Sequence, residues 1–87
     1  MNNMAQQISE LDAVVSSLNE IQGDAAVPRN VRTKIQDIIY ALRADGELSI
    51  KVNKALNELE EISNDVNLQS YTRQQIWNAI SVLEKLH

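Results

Sequence analysis

The chain has 87 residues, 8 basic and 12 acidic, with a formal net charge of −4; this is room for one small domain, and its overall electrostatics disfavour nucleic acid as a partner. It has no cysteine, two glycines and one proline, which excludes disulfide scaffolds, thiol nucleophiles and thiolate metal sites and leaves too little turn punctuation for a β fold. The single histidine is the last residue, His87, so no histidine-based catalytic or metal centre is expected.

Met4, Ile8, Leu11, Val15 and Leu18 recur at steps of four and three, and Val14 and Ile21 widen the stripe. This spacing predicts a helix over about residues 4–22. Gly23 is placed to end it as a left-handed C′ residue. Pro28 opens a second helix, about 28–44, in the first turn where no intrahelical N–H bond is lost; its core face is Val31, Ile35, Ile38, Ile39 and Leu42. Asp45-Gly46 is the next stop. Leu48, Val52, Ala55, Leu56, Leu59 and Ile62 predict a third helix, about 48–63, and Asn64-Asp65 breaks it. The fourth, about 70–86, carries Ile76, Ile80, Leu83 and Leu86, with Trp77 and Val82 beside them. Connections of about three to six residues make successive helices antiparallel. The expected fold is all-α: one domain, 1–87, folded as a four-helix up-and-down bundle of two similar hairpins. No apolar run is long enough to span a bilayer, and Met1–Gln7 lacks the basic and apolar regions of a signal peptide. A soluble, cytoplasmic protein without a membrane partner is expected.

Sliding the chain by 41 residues aligns 8–46 with 49–87 without a gap and gives eight identities in 39 pairs. Five are apolar or follow from two amphipathic hairpins of equal length. Glu20/Glu61, Asp24/Asp65 and Arg32/Arg73 do not, and they bracket the same turn in both halves. The charges predict a salt bridge in each hairpin, Glu20 with Arg32 and Glu61 with Arg73. Positions apolar in both halves, among them Leu18/Leu59 and Ile35/Ile76, are assigned to the core. All three aromatic residues align with polar ones: Trp77 with Gln36, Tyr71 with Asn30 and Tyr40 with Ser81. Where one half carries an aromatic and the other does not, an interface anchor is a candidate, so Trp77, Tyr71 and Tyr40 are the candidate interface residues.

Val27-Pro28-Arg29-Asn30-Val31-Arg32, Ile62-Ser63-Asn64-Asp65 and Arg73-Gln74-Gln75-Ile76-Trp77-Asn78 resemble a small archaeal family known only as an uncharacterised protein family. The similarity runs from about Val27 to Leu86, and it implies a compact four-helix bundle, an archaeal source and no established activity. Family members tend to carry proline after the Asn-Asp turn; Val66 stands there in this chain, which predicts a looser turn. A weaker likeness is to a pair of HEAT repeats, hairpins of about 40 residues with an Asp in the turn and a Val-Arg pair opening the second helix. Asp24 with Val31-Arg32 fits that pattern.

The chemistry-bearing residues are sparse. There is no Glu-x-x-His pair of the kind di-metal bundles use, no glycine-rich phosphate loop and no serine nucleophile motif. No metal, cofactor or small-molecule substrate is inferred. The leading expectation is a non-enzymatic interaction or scaffold protein that self-associates or docks on a larger assembly. The alternative is an accessory factor on RNA or ribonucleoprotein that uses the Arg29–Arg32–Lys34 face, a patch with few cations and no interleaved aromatic.

Overall fold

A computed structural model describes residues 4–86; Met1–Asn3 and His87, on which parts of the leader and histidine readings fall, lie outside the described residues. Four helices follow one another: α1 Met4–Gln22, α2 Arg29–Arg43, α3 Leu48–Ser63 and α4 Ser70–Leu83. Among the described residues there is no strand. α1 packs on α2 and on α4, and α3 packs on the same two helices, while the backbones of the diagonal pairs α1–α3 and α2–α4 stay more than 8 Å apart, Cα to Cα. This closed square is the up-and-down bundle. It overturns the HEAT-like alternative, in which the first helices of successive repeats stack on each other, as do the second helices; here α4 returns to α1 instead.

One apolar core runs through all four helices. Leu18, Ile35, Leu59 and Ile76 are fully buried, as two facing pairs of amphipathic stripes require. Of the positions apolar in both halves, Leu11 and Leu56 are only partly covered. The α1 stripe also outruns its partners. α1 has 19 residues against 15 in α2 and 14 in α4, a surplus of about one turn. Met4 and Ile8, read as part of the core stripe, therefore stand 74% and 53% exposed.

Two boundaries differ from the sequence expectation. Pro28 is the N-cap of α2 rather than its first residue, and its carbonyl accepts from the N–H groups of Val31 and Arg32. α4 stops at Leu83; the next residues form a tight turn, with Lys85 N–H on the Val82 carbonyl and Leu86 N–H on that of Leu83, and this folds Leu86 back into the core. The left-handed helix end expected at Gly23 is absent, and its repeat mate Asn64 has none either. Asn64 stays right-handed at φ −87°, and Gly46, at φ +140°, is the residue with positive φ among those described.

Candidate interaction surface

The repeated charges build the two turns at one end of the bundle. Asp24 Oδ1 accepts the N–H of Ala26 at 2.9 Å, and Asp65 Oδ1 that of Asn67 at 2.8 Å. In each turn the same aspartate's carbonyl also accepts the N–H three residues on, from Val27 or Leu68. These Asx turns end α1 and α3 without a left-handed residue, which is why neither Gly23 nor Asn64 needs one. They also close the Val66 turn with the same bonds as its counterpart, so that turn is not looser. Asn30 Nδ2 reaches Asp65 Oδ2 at 3.4 Å and ties the two turns together.

The arginines do not form the expected salt bridges. Arg32 Nε donates to the Val27 carbonyl at 3.1 Å. Arg73 Nε donates to the Ser63 carbonyl at 3.0 Å and its Nη2 to that of Asp65 at 2.7 Å, with a longer contact from Nη1 to Leu68. Ser63 ends α3, where carbonyls have no intrahelical partner, while Val27, Asp65 and Leu68 lie in the turns; a guanidinium satisfies several such carbonyls at once. The glutamates point elsewhere. Glu20 lies on the flank of α1 that faces α4, beside Tyr71 and Gln75. Glu61 lies on the flank of α3 that faces α2, where it meets Lys34 at 3.6 Å in the one ion pair among the described residues.

This placement bears on the basic face. Arg32 is half-buried with Nε on a backbone carbonyl, and Lys34 is paired with Glu61. Of the three cations, Arg29 alone is left without an ion pair or hydrogen bond among the described residues.

The candidate aromatics separate into two sites. Tyr40, 80% exposed, points outward from α2 and lines an open groove with Gln22 and Gln36. α2 is diagonal to α4, so Tyr40 shares no surface with the other two. Trp77 and Tyr71 both lie on α4, 49% and 70% exposed. At about 100° per residue they sit roughly 120° apart, on opposite edges of the helix's solvent side. Tyr71 edges the α1 seam. Trp77 shares its flank with Arg73, whose guanidinium reaches the end of α3.

Between these edges lie Gln74, Asn78 and Ser81, all exposed. The Gln74 side chain donates to that of Asn78 at 3.0 Å, and the Ser81 hydroxyl to the Trp77 carbonyl. The lack of charge here is what sequence reasoning missed. Of the chain's 20 charged residues, α2 and α3 carry five each and α4 carries one, Arg73, which is turned to the backbone. The signal was legible in the charge count of each segment. An outward helix face with aromatic edges and no charge matches the composition that sets the centre of a protein interface apart from ordinary surface. A smaller second patch forms at the opposite end, where Met4, Ile8, Leu11 and Leu48 line an apolar groove.

Over residues 1–86 the sequence matches UPF0147, an uncharacterised protein family. The chain belongs to the UPF0147 family. The match takes in α1 as well, beyond the Val27–Leu86 stretch on which the resemblance rested. A UPF0147 protein of Archaeoglobus fulgidus is 38% identical over 86 residues, which cover 99% of this chain and 97% of the relative. UPF0147 protein MJ1419 of Methanocaldococcus jannaschii is 40% identical over 77 residues, 87% of this chain and 83% of the relative. A crystal structure titled as the unknown function protein MMP1188 has the same fold, with a TM-score of 0.86 and 35% identity across 98% of this chain and 94% of that one. The family is of unknown function. Among the described residues no three histidine, cysteine, aspartate or glutamate side chains gather as metal ligands, and no helix is long and apolar enough to cross a membrane.

Proposed function

We propose that this UPF0147 protein is a non-catalytic helical interaction module whose contact surface is the uncharged outer side of α4, edged by Trp77 and Tyr71. The observation that carries the reading is the contrast between helices. α2 and α3 present mixed charges to solvent, as an ordinary wetted surface does, while α4 presents Tyr71, Gln74, Trp77, Asn78 and Ser81. Aromatics are enriched at interfaces and lysine, aspartate and glutamate depleted from them. The interior supports the same reading: its buried residues are apolar apart from Ser63 and Thr72, and the Ser63 hydroxyl is taken by the Glu60 carbonyl at 2.7 Å. The RNA alternative gains nothing from the geometry, since two of its three cations already have partners.

The test is to place one charge in two positions. Gln74→Glu on α4 is expected to abolish association, read as molecular mass by light scattering or as partner capture from archaeal extract, with the helical signal intact. Tyr40→Glu on α2 is expected to leave association unchanged. Loss of association from Tyr40→Glu but not from Gln74→Glu would contradict the proposal.

A further inference from the structure

We infer that the occupant of the α1–α4 side is a second copy of this chain, docked antiparallel about a two-fold axis, with Tyr71 of each copy seated in a groove of the other. The inference rests on the interaction-module reading and names its partner. Tyr71 protrudes from the turn end of α4, 70% exposed, beside Glu20 and over a hollow that includes Ser17 and Asn78. The same two residues also line the next hollow along the seam, a shallow groove completed by Ala13, Val14, Ala79 and Val82. A knob and a hole therefore lie on one side of one molecule, displaced along the seam. From residue 71 to about residue 79 is roughly 12 Å at 1.5 Å per residue. An axis at the level of residue 75, perpendicular to the helices, carries each knob onto the other copy's hole. An isologous contact needs this self-complementarity.

The groove suits the knob. Ala13, Ala79 and Val82 give it apolar walls, and Ser17 and Asn78 sit at its end toward Tyr71, within reach of polar groups on an incoming ring. The repeat shows how specific this seam is. Both seams carry the repeated glutamate, Glu20 or Glu61, and the one between α2 and α3 adds Lys54 where the groove has Ala13, Glu58 where it has Ser17, and Asp37 where it has Asn78, three charges that the α1–α4 groove lacks.

Charge and size agree. Each copy carries a net charge of −4, so two copies repel least where charge is sparse; the α1–α4 side presents Glu20 beside the knob and no charged residue in the groove. Gln75, at the level of the axis, offers both a donor and an acceptor and meets its own copy across the two-fold without opposing like charges. The molecule is 38 Å long and about 20 Å across, so a contact of the standard size, roughly 800 Å² per partner, takes up most of one long side.

The experiment combines mass with site-directed cross-linking, which the absence of native cysteine makes clean. Wild-type chain is expected to sediment at twice 9.8 kDa. Tyr71→Ala, an exposed change, is expected to raise the dimer dissociation constant about thirtyfold, the weight of a hot-spot aromatic, with the helical signal retained. Ser17 lies between knob and hole, close to the axis, so Ser17→Cys is expected to form a disulfide-linked dimer under mild oxidation. Glu58→Cys, the repeat counterpart on the α2–α3 seam, is expected to stay monomeric on a denaturing gel. A monomeric wild type at every concentration, or cross-linking by Glu58→Cys and not by Ser17→Cys, would overturn the inference. If the monomer still captures a different protein and Gln74→Glu abolishes that capture, the self-docking fails while the interaction-module reading stands.

Discussion

Replacing Arg73 with methionine keeps most of the aliphatic stem and deletes the guanidinium. In the native chain that group donates to the Ser63 carbonyl at 3.0 Å and to the Asp65 carbonyl at 2.7 Å, with a third contact at 3.5 Å. The third lies at the limit of useful geometry and is discounted. Hydrogen bonds made by charged groups contribute about 1.5–3 kcal/mol each when well sheltered. Arg73 is half-buried, and water can replace part of what it provides, so about 1 kcal/mol per good bond is the appropriate figure. Arg73→Met should therefore cost about 2 kcal/mol, a fall in Tm of roughly 10 °C for a domain of this size. Arg32 makes a single bond of this kind, at 3.1 Å, and Arg32→Met should cost about half as much. Urea denaturation monitored by circular dichroism at low and high salt measures both. Carbonyl acceptors neither titrate nor lose their hold to salt as an exposed ion pair does, so the Arg73 effect should persist at 1 M NaCl and at acid pH. The carboxylate partners expected from sequence make the opposite forecast: Glu61→Gln would match Arg73→Met, and both effects would fade with salt. If Glu61→Gln costs as much as Arg73→Met, the carbonyl-capping account is wrong.

Leu59→Ala, at a fully buried position, should cost about 2–5 kcal/mol in the same assay, and a value below about 1 kcal/mol would place the core elsewhere. The two glycines should behave oppositely. Gly23→Ala meets only ordinary contact, 3.5 Å from the Asn19 carbonyl oxygen, and should be neutral or slightly stabilising. Gly46→Ala has open space, but its φ of +140° should cost about 1–3 kcal/mol. Ile8→Ser, on the overhanging turn of α1, should change stability by less than about 1 kcal/mol; a large loss by thermal melting would show that turn to be packed.

The core was legible because helical periodicity and burial are the same geometry: Leu18, Ile35, Leu59 and Ile76 repeat where a stripe must point inward, and all four are buried. The overhang was not legible, because periodicity reports which way a residue faces and not whether a partner helix extends that far. Met4 and Ile8 continue the pattern past the bundle's end. The turns were half legible. The repeat singled out Asp24/Asp65 and Arg32/Arg73, but pairing charges by sign overlooked the backbone, whose orphan carbonyls do not appear in a residue string. Glu20 and Glu61 also fall on the flanks of their helices that face away from those arginines. The aromatic candidates were found by their mismatch with the repeat, which detects a difference between halves without saying on which side of the bundle it lies. Tyr40 accordingly parted from Tyr71 and Trp77 once the helices were assembled.

The proposal that α4 carries the contact surface is tested most directly by photo-cross-linking in the cells that produce the chain. A photoreactive amino acid replaces Gln74 on α4 in one strain and Tyr40 on α2 in another, and the irradiated chain is recovered under denaturing conditions. The account predicts a discrete protein adduct from position 74 and none from position 40. An adduct from position 40 with none from position 74 would contradict it.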